Sequence, residues 1–149
     1  MATNTDTLKE VMTYRTLFII KPDAIQRNLI GKILSLIEEN QFKVHNITML
    51  VPQKSTIELH YKEHYNKAFY NDLVASMLTY TPIVVGTLSL RKKPKHVVKA
   101  FRDLMGHYDN PAPDTLRYHF MVDPMKNAIH GSSDDDAARR EMCIWSKWL

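Results

Sequence analysis

Apolar and polar positions fall into blocks along this chain, and the period of each block predicts an element. "RTLFII", Arg15 to Ile20, is a short isoleucine-rich run that reads as a buried strand closed by Lys21 and Pro22. Ile30, Ile33, Leu34 and Ile37 then recur at the i, i+3, i+4, i+7 spacing of a helix that buries one face. "FKVHNITML", Phe42 to Leu50, returns to a strand pattern. From Ser55 to Thr79 there are two helical stripes. "STIELHYKEHY" opens on a capping-type serine with a glutamate three residues on, "FYNDLVASML" carries the second stripe, and Asn66 to Ala68 breaks them. "TPIVVGTLSL" predicts a third strand, and Pro94 opens a helix through Val97, Val98, Phe101 and Leu104 that Gly106 ends. "TLRYHFMV", Thr115 to Val122, alternates enough to predict a fourth strand. A last helix is expected from Asp134 to Trp145, with Ala137, Glu141, Ile144 and Trp145 on one side.

Strands separated by helices suggest one sheet with helices packed on it, an α/β sandwich. The 149 residues, 44% of them hydrophobic, suit a single domain with a real core. Residues 1–14 are polar with scattered apolar positions and are expected to form a loosely ordered extension before a domain at 15–149. "GHYDNPAPD", Gly106 to Asp114, is the clearest irregular loop, because Pro111 and Pro113 keep it out of regular structure.

Composition narrows the function classes. No uncharged apolar stretch of about 18 residues occurs, and no basic-then-apolar amino terminus, so neither a membrane span nor a secretory signal is expected. One cysteine, Cys143, cannot form an internal disulfide and points to a reducing, intracellular home. The formal charge of +4 favours an anionic partner. Apart from "RKKPKH", Arg91 to His96, which reads as a solvated turn, the cations are spread out and leave no nucleic-acid footprint.

The chemistry-bearing residues are few. No Walker loop, GxGxxG, CxxC or HExxH occurs, so phosphate or metal handling must come from scattered side chains. Arg117 stands in an otherwise uncharged segment, where it either points at water or finds an anion. Lys21 ends a buried strand, where crevices open in α/β folds, though a lysine there often only marks the return to solvent. His130 sits in "NAIHGSSDDD", Asn127 to Asp136. Gly131 removes bulk beside it, Ser132 and Ser133 offer N-cap hydroxyls, and three aspartates suit the positive end of a starting helix. Glu141, on the apolar side of that helix, needs a partner. If it accepts one imidazole nitrogen of His130, the other becomes a nucleophile; the alternative is an ordinary loop histidine.

With Lys21, Arg102, Arg117, Asn127 and His130 in view, the chain resembles the nucleoside diphosphate kinase family from about Arg15 to Ser146. The motifs "KPDAIQR" and "NAIHGSSDDDAARREMCIW" carry most of the specificity. The resemblance implies a ferredoxin-like antiparallel four-stranded sheet (βαββαβ) covered by helices. It also implies ping-pong transfer of a nucleoside triphosphate's γ-phosphate to a nucleoside diphosphate through phosphohistidine at His130. Glu141 and Ser132 would orient that imidazole, and Arg102 and Arg117 would hold phosphates. Lys21 and Asn127 would bind ribose hydroxyls, with Lys21 also reaching the transferring group. Tyr61 would line the phosphate side, Phe69 would stack on the base and Leu73 would pack nearby, with His64 and Tyr65 as competitors for the Tyr61 position. The implied cofactor is Mg2+, held by the nucleotide phosphates and not by protein ligands. The implied state is a cytoplasmic homo-oligomer with nucleotides as partners, no membrane and no nucleic acid.

Three departures from the family pattern stand out. Ala24 replaces a usual glycine; Ser133 replaces a usual aspartate, whose charge Asp134 is placed to lend to magnesium; and Asp109 falls where a phosphate-contacting threonine is usual. The loop around Asn110 and Pro111 is altered in length and the chain stops at Leu149, which leaves the number of subunits open. Two other classes share the fold: a non-catalytic nucleotide- or nucleic-acid-binding protein, for which no RNP-like aromatic pattern is present, and a regulatory subunit that lost its chemistry, for which the histidine or an arginine should be missing.

Overall fold

In the computed structural model, which describes residues 14–149, the first strand β1 (Thr16–Ile20) is buried along its whole length. Leu17 and Ile19 point into one apolar cluster and Phe18 and Ile20 into another, so both faces of the sheet are covered. The residues 1–13 of the expected extension lie outside the described residues, and Tyr14 is exposed.

After β1 come α1 (Pro22–Gln26), α2 (Ile30–Glu39) and β2 (Phe42–Leu50). Next are α3 (Lys54–His60), α4 (Tyr70–Ser76) and β3 (Ile83–Leu90). The chain continues through α5 (Val97–Met105), α6 (Leu116–Phe120), β4 (Ile129–Gly131) and α7 (Asp135–Ile144). The sheet order is β2-β3-β1-β4, with β1 antiparallel to both neighbours and β2 antiparallel to β3. This is the expected four-stranded ferredoxin-like arrangement. α2 and α5 cover one face through Ile33, Ile37, Val98, Phe101 and Met105. Ile57 of α3, Val74 of α4 and Trp145 after α7 cover the other.

One expectation fails. Thr115 to Val122 is not a strand: Thr115 is the N-cap of α6, its hydroxyl accepting the Tyr118 N–H at 3.3 Å. Tertiary demand overrides strand propensity here, because the helical turn buries Leu116 and Arg117 while Tyr118 faces out. The fourth strand is instead β4, which carries His130 opposite Ile19 of β1. Three residues are too few for a periodic signal; pairing with β1 makes them a strand.

Two glycines let this end of the molecule close. A Cβ on Gly131 would sit 2.8 Å from the Phe101 ring and 3.1 Å from the Met105 sulfur, so only hydrogen fits between β4 and α5. Gly106 ends α5 at φ +87°, and its carbonyl accepts Arg117 Nη1 at 3.0 Å.

Candidate active site

β1 and β4 run side by side, so Lys21, the residue after β1, emerges beside His130. The join is tight: the Lys21 N–H donates to the Ala128 carbonyl at 2.9 Å, and Asp23 Oδ2 accepts the Ala128 N–H at 3.1 Å. These bonds hold Ala128 at φ +72°, a conformation costly for a residue with a Cβ, immediately before the strand that presents the histidine. α5 brings Arg102, α6 brings Arg117, the end of α3 brings Tyr61, and α4 with its preceding residue brings Leu73 and Phe69. With Asn127, all of these line one cavity of about 890 Å³ together with Lys21 and His130.

The cavity gathers the cations Lys21, Arg102 and Arg117, with the acidic Glu63 and Asp123 also in its wall. Lys21 is 3% exposed; its Nζ donates to the Met125 carbonyl at 2.9 Å and to Asn127 Oδ1 at 3.1 Å. Burial lowers its pKa to about 8, a shift that Asp23 partly opposes and Arg117 reinforces. Arg117 is buried too, with Nη1 and Nη2 on the carbonyls of Gly106 and Ile129 and its Nε unpaired. Burial first, then Arg102, lowers its pKa to about 10. Among the described residues no carboxylate lies within ion-pair distance of Lys21, Arg102 or Arg117. Three unpaired cations around one cavity repel one another, Asp23 and Asp123 offset this only in part at Lys21, and an anionic ligand relieves the rest.

His130 faces that field. Its Nε2 is 2.5 Å from Glu141 Oε1, and the same oxygen accepts the Ser132 hydroxyl at 3.2 Å. Burial, and next Arg117 and Lys21, pushes the His130 pKa well below its usual 6.5, so the ring is neutral at pH 7. A neutral ring that donates Nε2–H to a carboxylate carries its lone pair on Nδ1. Burial pushes Glu141 up, and His60, Arg140 and the Ser132 bond pull it back. The arrangement can hold an anion and present an unprotonated nitrogen to it.

Most predicted site residues converge, with corrections around the edges. Tyr61 lines the cavity edge-on to His130 at 6.4 Å between ring centroids, and His64 also lines it, whereas Tyr65 is 68% exposed and lies outside. Asp134 stands outside the cavity lining, and its Oδ1 caps α7 by accepting the Ala137 N–H at 2.7 Å. The N-cap is therefore this aspartate and neither serine. Ser133 lines the cavity mouth and Ser132 turns inward to Glu141. Asp109 does not line the cavity; its N–H donates to His107 Nδ1 at 3.1 Å, while the neighbouring Tyr108 reaches the wall. Ala24 is fully buried in the core. Unforeseen were Lys67 and Tyr108 in the wall and the Met125 carbonyl on Lys21. They stand in segments with no periodic signal, so only the closed fold reveals them.

The sequence profile of the family described as Nucleoside diphosphate kinase matches residues 14–147. A nucleoside diphosphate kinase of Histophilus somni is 42% identical over 133 residues, spanning 88% of this chain and 91% of that protein. One from Corynebacterium diphtheriae is 36% identical over 137 residues, spanning 90% and 97%. Among solved structures, the nucleoside diphosphate kinase of Aquifex aeolicus superposes with a TM-score of 0.80 at 30% identity over 87% of this chain and 92% of that one. That of Encephalitozoon cuniculi gives 0.82 at 28% identity over 89% and 88%. The match runs through every element that builds the cavity, and the chain belongs to the nucleoside diphosphate kinase family of phosphotransferases.

Proposed function

We infer that the chain moves the γ-phosphate of a nucleoside triphosphate onto a nucleoside diphosphate in two half-reactions through His130. In the first, the Nδ1 lone pair attacks the γ-phosphorus, the bond from that phosphorus to the β,γ-bridging oxygen breaks, and the nucleoside diphosphate leaves. In the second, a terminal β-phosphate oxygen of the incoming diphosphate attacks the phosphorus and the P–N bond breaks, returning the lone pair to Nδ1. Throughout, Nε2–H stays on Glu141, so the charge that develops on the imidazole is met by a carboxylate 2.5 Å away. The observation that carries this reading is the neutral histidine, backed by a buried carboxylate, in one cavity with three cations that form no ion pair among the described residues.

Arg102 and Arg117 take the phosphate oxygens, and Lys21 with Asn127 takes the ribose hydroxyls, Lys21 also reaching the transferring group. Phe69, half exposed at the rim, offers a ring face to the base, with Leu73 behind it. Stacking reads a base by shape, so purines and pyrimidines are both accepted. The nucleotide's own phosphates would hold a magnesium ion, which would supply charge neutralisation there beside that of Arg102, Arg117 and Lys21. The acidic side chains of the cavity wall fit that division, since they have other duties: Asp123 Oδ1 accepts the N–H groups of Met125 and Lys126, and Glu63 pairs with Arg140 at 3.4 Å.

We further propose a homo-oligomer. β2 is an edge strand, and Ile47, Met49 and Val51 are exposed on and beside it, a surface that natural sheets usually cover. No helix among the described residues is long and apolar enough to cross a membrane. The exposed free thiol of Cys143 suits the cytoplasm, where such groups stay reduced. Two-substrate kinetics test the central reading: initial rates with ATP and a diphosphate acceptor should give parallel double-reciprocal lines. Intersecting lines would replace the covalent route by direct transfer.

A further inference from the structure

His60 ends α3 directly behind the nucleophile and is buried, outside the cavity lining. Its Nδ1 accepts the indole N–H of Trp145 at 3.1 Å, and that indole is itself fully buried. Indole is a donor only, so this bond requires an unprotonated Nδ1. The His60 ring, kept neutral by burial, therefore carries its proton on Nε2. That N–H has no hydrogen-bond acceptor among the described residues. The nearest anionic group is Glu141 Oε1 at 3.9 Å, the same oxygen that binds His130 Nε2. The His60 ring also meets the His130 ring edge to face, with centroids 4.4 Å apart and planes at 75°.

We propose that His60 is a positioning residue for phosphoryl transfer: its Nε2–H, set by the Trp145 bond, steers the Glu141 carboxylate and through it fixes which nitrogen of His130 carries the lone pair. Four groups stand in sequence, the Trp145 indole, the His60 imidazole, the Glu141 carboxylate and the His130 imidazole, and only the two imidazoles have tautomeric freedom. The polarity runs outward from the core to the cavity. A buried donor without an acceptor is costly, so His60 closes on Glu141 whenever the carboxylate turns toward it, and catalytic bonds long in the resting enzyme tighten during reaction. His60 touches no substrate: it is absent from the cavity lining. The donor atoms of His60, His130 and Glu141 lie within 4.8 Å of one another, but a cation on His60 Nε2 would have to expel the proton that the Trp145 bond holds there.

This inference rests on His130 being the nucleophile, and the experiment separates the two. Wild type, His60→Gln, His60→Asn and His60→Phe are compared by single-turnover labelling from γ-labelled ATP, by nucleotide affinity, and by nitrogen NMR of the imidazoles. Glutamine places a donor where Nε2 stands; asparagine restores only the acceptor for Trp145; phenylalanine keeps the ring alone. Loss of the bond that closes between His60 and the Glu141 carboxylate during reaction predicts labelling of the asparagine and phenylalanine variants slowed by about tenfold or more, with nucleotide affinity held within about twofold. The glutamine variant should recover most of the rate. In wild-type protein, which needs no variant to fold, His60 should show protonated Nε2 and bare Nδ1. In the asparagine variant His130 should lose its single tautomer. Wild-type rates in all three variants, or a proton on His60 Nδ1 in wild type, would overturn the role of His60 while leaving His130 labelled. Absence of label on wild-type His130 would instead overturn the reading beneath it.

Discussion

Replacing Glu141 by glutamine isolates the charge behind the nucleophile. Glu141 is 1% exposed and does not line the cavity, so the change is isosteric and remote from nucleotide. Its Oε1 faces donors from His130 and Ser132, which would orient the amide oxygen the same way and keep the His130 tautomer. What disappears is the negative charge. As Nδ1 takes the phosphoryl group the ring gains positive character, and a neutral acceptor replaces a charged one. The difference between hydrogen bonds to charged and neutral groups is about 1 kcal/mol, and a full charge pair at about 4 Å in a protein-like dielectric adds up to about 4 kcal/mol. The phosphorylation step should therefore slow by between about fivefold and about four-thousandfold, at 1.4 kcal/mol per decade. Rapid-quench measurement of label on the protein reads this step directly, and equilibrium titration with diphosphate should give unchanged affinity. A rate within about twofold of wild type, or a loss that appears only as weaker binding, would refute the reasoning.

Other expectations follow from the same geometry. The profile of kcat/KM against pH should fall as pH rises through about 8, where Lys21 loses the proton that makes it a cation, and should hold on the acid side to below the usual histidine pKa of 6.5, because the His130 ring stays neutral there; a flat profile up to about pH 9.5 would remove Lys21 from the reaction. Phe69→Ala should weaken purine and pyrimidine nucleotides alike by about 1–3 kcal/mol in calorimetry, and strong base discrimination in that variant would contradict the stacking role. Gly131→Ala should destabilise the fold by about 1–3 kcal/mol in denaturant unfolding, since its Cβ meets Phe101 at 2.8 Å, and a neutral result would mean that α5 stands farther from β4. Light scattering on the eluting protein should give more than one chain per particle; a monomer would leave the β2 edge uncovered.

The elements with strong periodicity were legible in the chain. β1 reads from its unbroken apolar run because it is central and buried on both faces, and α5 reads from Pro94 to Gly106 because its start and stop signals flank a clear stripe. α6 and β4 were not. The side chains of Thr115 to Val122 favour a strand locally, yet Thr115 caps a helix there, and β4 is too short to announce itself. The site residues were legible as a set through their motifs, but Arg117 arrives on a helix and not a strand, and its two carbonyl partners follow from the closed fold alone. His60 was invisible for the same reason. Its position behind His130 depends on α3 packing under the sheet beside α7, which no local pattern encodes.

The most direct test is to incubate the protein with γ-labelled ATP and magnesium and locate the phosphate. The account predicts one acid-labile, base-stable phosphoryl group, found on the peptide carrying His130, discharged by added diphosphate and abolished by His130→Asn. Label that survives that substitution, or lies on another residue, would contradict it.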